Sequence, residues 1–97
     1  MKTVVITGSA RGIGAATAAL FADSGYNVVI NYNTSEKEAL ALLEQLTDKG
    51  CNATAVRADV SDPQEAKLLF EQAKSRFGSV DVLVNNAGIA QQKLFTD

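Results

Sequence analysis

The sequence predicts an α/β domain: a parallel sheet of four strands with flanking helices. Three observations carry this. Short apolar runs rich in β-branched residues recur along the chain, each suited to a strand buried on both faces. Segments with apolar residues at helical spacing lie between them. Glycines at positions 25, 50 and 78 fall where those helices should stop. Strands alternating with helices imply parallel pairing and right-handed crossovers.

Val4-Val5-Ile6 forms the first strand and ends abruptly at Thr7-Gly8. A helix follows from Gly12 to Ser24, with Ile13, Ala16 and Leu20 as its expected inner face and Gly25 as its left-handed cap. Val28-Val29-Ile30 is the second strand. Ser35 and Glu38 have the spacing of a capping box, and Ala39, Leu42, Leu43 and Leu46 give the second helix its apolar stripe before Gly50. Residues Ala53 to Val56 read as the third strand. The third helix opens around Ser61-Asp62-Pro63, with either Ser61 or Asp62 as the cap and Pro63 in the first turn. Its inner face is Ala66, Leu69, Phe70 and Ala73, and Gly78 closes it. Val80 to Val84 form the fourth strand, followed by Asn85-Asn86-Ala87-Gly88.

Composition narrows the function classes. The 97 residues are enough for one small domain, and 46% hydrophobic with 21% charged residues is an ordinary globular balance. A formal net charge of −2 offers no strongly basic surface, so nucleic acid is not an expected partner. A single cysteine, Cys51, cannot form an internal disulfide, which fits a reducing cytoplasm; it reads as a small buried residue near the start of a strand. The apolar run after Met1-Lys2-Thr3 is too short for a signal-peptide core or a membrane span, so no membrane is expected either. Histidine is absent and no acidic or thiol groups cluster at ligand spacing, so no metal site is expected.

The chemistry of the chain begins in the turn after the first strand. Gly8, Gly12 and Gly14 lie where the chain must reverse and open a helix. Glycine accepts positive φ and carries no side chain to hold a ligand away. The helix start then directs free N–H groups at whatever occupies the turn, which suits a phosphate or pyrophosphate. A glycine triplet alone signals no more than a tight turn. Its place after a strand and at the head of a βαβ unit makes it informative. The spacing is Gly-x-x-x-Gly-x-Gly, not the Gly-x-Gly-x-x-Gly of the broad dinucleotide-binding fingerprint.

Thr7-Gly8-Ser9-Ala10-Arg11-Gly12-Ile13-Gly14 resembles the cofactor signature of classical short-chain dehydrogenases/reductases. Asn85-Asn86-Ala87-Gly88 resembles that family's second signature, and Asp59-Val60 its pair beside the adenine. Within the family the sequence is similar to the 3-oxoacyl-[acyl-carrier-protein] reductase-like group. The resemblance implies a Rossmann-type sheet with flanking helices in the strand order 3-2-1-4, truncated after the fourth strand. Residues 1–97 would be the dinucleotide-binding half of a single domain, with the catalytic half absent. It implies a cofactor site made of Gly8, Ser9, Arg11, Gly12, Ile13, Gly14, Asn33, Asp59, Val60, Asn86, Ala87 and Gly88. Asp59 would accept from the adenine amino group and Val60 would pack the ring, although Asp59 also reads as a local cap for the next helix. Asn86, Ala87 and Gly88 would line the adenosine ribose, while Asn85 ties neighbouring strands together.

The stretch after the second strand, Asn31-Tyr32-Asn33-Thr34-Ser35, contains no carboxylate before Glu36. A carboxylate there would bind a ribose 2′-hydroxyl and repel a 2′-phosphate. Arg11 could reach such a phosphate with a forked contact. NADP(H) is therefore favoured over NAD(H), against the alternatives that Arg11 is a solvated turn residue and residues 31–35 an ordinary polar loop.

The family's proton donor is a tyrosine with a lysine four residues on. Here Tyr26 is followed at that spacing by Ile30 and Tyr32 by Glu36, so no catalytic residue is assigned. The resemblance implies an NADPH-dependent carbonyl reductase for the intact parent, acting on a 3-oxoacyl thioester, a keto sugar, a steroid-like ketone or another carbonyl, with these 97 residues alone inactive. A non-catalytic nucleotide-binding or self-associating module is the second reading, and a gene product that never folds alone is the third. A fourth strand with an open edge, and a sheet face short of helices, lead to an expectation of homo-oligomers or dependence on further residues. Sedimentation of the 97-residue chain should show self-association; a well-folded monomer in dilute solution would count against it.

Overall fold

The computed structural model describes residues 1–86, and Ala87 to Asp97 lie outside the described residues. The elements run β1 (Thr3–Ile6), α1 (Gly12–Asp23), β2 (Asn27–Tyr32), α2 (Glu36–Asp48), β3 (Ala53–Arg57), α3 (Pro63–Phe77) and β4 (Val82–Val84). The strands form one sheet in the order β3-β2-β1-β4, every pair parallel, as the sequence predicts. This is a Rossmann-type arrangement. The fourth strand is shorter than the expected 80–84 and the third reaches one residue further, to Arg57.

The apolar runs are continuous because both sheet faces are covered, and the two-residue strand period divides them. Val4, Ile6, Val28 and Ile30 face α1 and α2, where Ala18, Ala22, Ala39, Leu42 and Leu46 complete the core. Val5, Val29 and Val56 face the other way, against Leu69 and Ala73 of α3. Val82 and Val84 join the first core, whereas Leu83 points to the α3 side and is half exposed. Among the described residues β4 pairs only with β1, leaving its other edge open.

Helix α1 turns a different face inward from the one its spacing suggests. Gly14, Ala18 and Ala22 are buried, while Ile13 and Leu20 are 67% and 68% exposed and Ala16 is exposed too. The helix is apolar on nearly every side, so periodicity does not select a face. Close approach does: a Cβ on Gly14 would lie 2.7 Å from the carbonyl oxygen of Gly8 and 2.7 Å from Cα of Ser9. The phase of α1 is set by the one position that can touch the preceding turn, and alanines at i+4 and i+8 follow it onto the sheet.

The caps also sort themselves. Asp62, not Ser61, caps α3: its carboxylate accepts from the Gln64 N–H at 2.9 Å, with Pro63 next in line. Ser35 is the N-cap of α2, but its side chain makes no capping bond, so the expected capping box with Glu38 is not formed. Its backbone, at φ −92° and ψ 51°, departs from the extended conformation usual for such caps. Cys51 lies just before β3, half-buried and free, with Sγ 3.8 Å from the Ala22 carbonyl oxygen.

Asp81 fastens β4 at its start. Its carboxylate accepts from the Thr3 N–H at 2.8 Å and from the Ser79 hydroxyl at 3.0 Å, and its own N–H donates to the Thr3 carbonyl at 2.9 Å. The Thr3 bond first, then Ser79 and more weakly Lys2 and the terminal ammonium, hold this carboxyl below the usual carboxylate range. A depressed native pKa gives stability that is present above the unfolded value of about 3.9 and lost as pH falls through the lower native value. Urea midpoints measured from pH 6 downward should therefore fall below about pH 4 in the wild type. In Asp81→Asn the starting stability should be lower and the acid loss shallower; an unchanged acid slope would show that Asp81 does not carry this dependence.

Candidate functional site

The carboxyl ends of the four strands bring the predicted site residues to one edge of the sheet, where a doubly wound fold places its ligand. Gly8 and Gly12 both have φ of +59°, the left-handed region in which a side chain is strained. They bracket a turn that leads straight into α1. The N-cap of α1 is Arg11, in extended conformation at φ −141° and ψ 164°; it provides no side-chain capping bond and no acidic residue occupies the first turn. The first N–H groups of α1 thus lack the side-chain acceptor that Asp62 gives α3, and they are available to an anion.

Between the turn and the loop after β2 lies a cleft of about 290 Å³, lined by Gly8, Ala10, Arg11, Gly12, Tyr32, Asn33, Thr34 and Ser35. It unites four of the predicted site residues, Gly8, Arg11, Gly12 and Asn33, and its lining contains no carboxylate. Among the described residues the Arg11 guanidinium takes no part in an ion pair or a side-chain hydrogen bond. Ile13 is exposed in the first turn of α1, whereas Ser9 and Gly14 lie beneath the turn. Ser9 is fully buried, and its hydroxyl accepts from the Asn31 N–H at 3.0 Å while its own N–H donates to the Asn31 carbonyl at 2.9 Å. Its side chain faces β2, not the cleft.

Asn31 is the residue that the sequence reading passed over as part of a polar stretch. It is only 2% exposed. Its Oδ1 accepts from the Gly8 N–H at 3.0 Å, and its Nδ2 donates to the Val56 and Ala58 carbonyls at 3.3 and 3.1 Å. One amide therefore ties the glycine turn to β2 and to the end of β3. The signal for it was a single polar residue following Val28-Val29-Ile30 inside a buried strand, where an amide persists only if its donors and acceptors are satisfied.

The turn is held from the other side by β4. The Thr7 N–H donates to the Val84 carbonyl at 3.0 Å and the Thr7 hydroxyl to Asn85 Oδ1 at 3.1 Å. Asn86 Nδ2 donates to the Gly8 carbonyl at 2.9 Å. A Cβ on Gly14 would sit 2.5 Å from that same Nδ2, so the third glycine makes room for Asn86 as well as for the turn. Asn85 links strands as expected, and Asn86 packs on the turn. Ala87 and Gly88 lie outside the described residues.

Asp59 and Val60 follow β3, away from the lining of the cleft. The Asp59 carboxylate accepts from the Ser61 hydroxyl at 2.6 Å and the Ser61 N–H at 3.0 Å, so it does shape the entry to α3. Those two bonds, with Arg57 adding a smaller attraction, hold its carboxyl below the usual range. Both bonds fall on Oδ1, which leaves Oδ2 for another donor. Val60 is half-buried against the α3-side core. Arg57, a residue the sequence reading did not single out, connects the two regions: it bonds Glu65 at 3.0 Å and Asn33 Oδ1 at 2.8 Å.

The short chain dehydrogenase family model matches residues 2–97. The 3-oxoacyl-[acyl-carrier-protein] reductase FabG of Staphylococcus aureus is 44% identical over 93 residues, which cover 96% of this chain and 38% of that protein. The 3beta-hydroxysteroid dehydrogenase 1 of Eggerthella lenta is 48% identical over 88 residues, 91% of this chain and 34% of that protein. Among solved structures, a blue fluorescent protein from a metagenomic library in complex with NADPH superposes with a TM-score of 0.87 at 43% identity, over 91% of this chain and 36% of that one. An alternative dihydrofolate reductase 1, FolM, from Brucella suis in complex with NADP gives 0.81 at 38% identity, over 88% of this chain and 35% of that one. The chain thus spans little more than a third of the length of the relatives it matches.

The bracing of the turn makes a direct prediction. Asn31→Leu removes the acceptor of the Gly8 N–H and the donor to two buried carbonyls, with a desolvation cost of about 1–3 kcal/mol for each group left unpaired. Denaturant unfolding should show a loss on the order of 3 kcal/mol, larger than for exposed Asn33→Leu. Equal losses for the two variants would remove Asn31 from its bracing role.

Proposed function

The chain belongs to the short-chain dehydrogenase/reductase family, and from that premise we propose that it forms the NADP(H)-holding part of a carbonyl reductase. The observation that carries the preference for NADP(H) is the cleft beside the glycine turn: it joins Arg11 to Asn33, Thr34 and Ser35 and has no carboxylate in its lining. A 2′-phosphate needs donors and positive charge, and a carboxylate at this place would exclude it. The relatives solved with NADPH and with NADP support the reading.

On this reading the uncapped start of α1, with Gly12 at its head, holds the pyrophosphate, Gly8 gives the turn its close approach while its own N–H stays on Asn31, and Arg11 with Asn33 holds the 2′-phosphate. Asp59 and Val60 receive the adenine, with Asn86 on the ribose side. NADPH supplies the hydride when bound; these residues bind and orient it. The proton donor for the carbonyl oxygen is assigned to no residue here, so the 97 residues alone should bind the dinucleotide without turning over a carbonyl. Similarity to FabG makes a 3-oxoacyl thioester the first substrate class to test in the full protein.

Arg11→Ala in the full protein tests the cofactor preference. Loss of one charge-assisted contact of about 1.5–3 kcal/mol should raise the Kd for NADPH by roughly ten- to a hundred-fold, while the Kd for NADH changes less than about threefold. Fluorescence titration reads both. Equal weakening of the two cofactors would show that Arg11 does not select the phosphate.

A further inference from the structure

Asn33 sits on the cleft wall with its amide committed in one direction. Arg57 Nη2 donates to Asn33 Oδ1 at 2.8 Å, and Arg57 Nε lies 3.4 Å from the Asn33 carbonyl oxygen. A guanidinium has only donors, so the atom of Asn33 that faces it must be the oxygen. Among the described residues the Asn33 NH2 group has no partner. On the other side Arg57 Nη1 bonds Glu65 Oε1 at 3.0 Å, and the same carboxylate oxygen accepts the Asp59 N–H at 2.8 Å. Glu65, on α3, therefore anchors both the guanidinium and the start of the Asp59 loop.

We propose that Arg57 is a positioning residue that locks the Asn33 amide with its NH2 group available to the cleft, so that the wall offers a donor to a phosphate and withholds an acceptor from a ribose hydroxyl. The proposal rests on the reading of this cleft as the 2′-phosphate site. It adds a cause of selectivity that lies outside the lining. An asparagine amide free to flip serves a hydroxyl or a phosphate equally, because one end donates and the other accepts. A locked amide favours the phosphate, whose oxygens only accept.

The test uses the full protein with 2′,5′-ADP and 5′-AMP as probes, titrated by calorimetry against wild type, Arg57→Met, Asn33→Ala and the double variant. Wild type should prefer 2′,5′-ADP. Arg57→Met should cut that preference about tenfold, the loss of roughly one polar contact, with 5′-AMP affinity within about twofold of wild type. The double variant should match Asn33→Ala, because Arg57 acts through Asn33. Arg57→Met that keeps the wild-type preference overturns the proposal, and so does a double variant with the summed losses, which would make Arg57 a direct phosphate ligand. A wild type without preference between the probes overturns the 2′-phosphate reading itself, and the positioning role with it.

Discussion

The buried amide of Asn31 is the contact on which the site depends. It lies at the end of β2 and bonds the glycine turn on one side and the exit of β3 on the other. A buried amide without partners would be costly, so this one constrains its neighbours in proportion. It holds the Gly8 N–H on its oxygen and sets the path of residues 56–58, from which Asp59 departs. Ser9, Thr7 and Asn86 complete the clamp from the backbone of β2 and from β4. The turn is thereby fixed before any ligand arrives, which lowers the ordering cost of binding.

Rigidity under the turn explains what the sequence could and could not tell. The strand runs were legible because the sheet is covered on both faces; the alternation of strands and helices gave parallel pairing, and the order 3-2-1-4 came with the family resemblance. The turn glycines were legible because Gly8 and Gly12 need positive φ and Gly14 needs space. The inner face of α1 was not, since Ile13, Ala16 and Leu20 at i, i+3, i+7 and Gly14, Ala18 and Ala22 at i, i+4, i+8 both follow a helical period, and only contact with the turn decides between them. Ser35 and Glu38 had the right spacing for a capping box, but the conformation of the β2–α2 loop decided against it. Asn31 and Arg57 were illegible for a shared reason: each acts by what it bonds across strands, and a single sequence does not show those partners.

The charges divide the site into two regions of opposite character. Around the glycine turn and the β2–α2 loop stand donors: the open start of α1, Arg11, and the NH2 of Asn33. Beyond β3 stand the carboxylates Asp59 and Glu65, each already bonded to donors of its own surroundings. Arg57 separates the two, taking Glu65 on one side and Asn33 on the other. The proposed NADP(H) site uses that division, with the phosphates set toward the donors and the adenine amino group toward the acceptor. The family chemistry then needs a proton donor, which the described residues do not supply at the spacing Tyr-x-x-x-Lys.

A crystal structure of the full protein with NADP+ tests this account most directly. It predicts the 2′-phosphate within hydrogen-bonding distance of both the Arg11 guanidinium and the Asn33 NH2 group, with Asn31 still bonded to the Gly8 N–H. A 2′-phosphate turned to solvent, or an Asn33 amide rotated to present its oxygen, would contradict it.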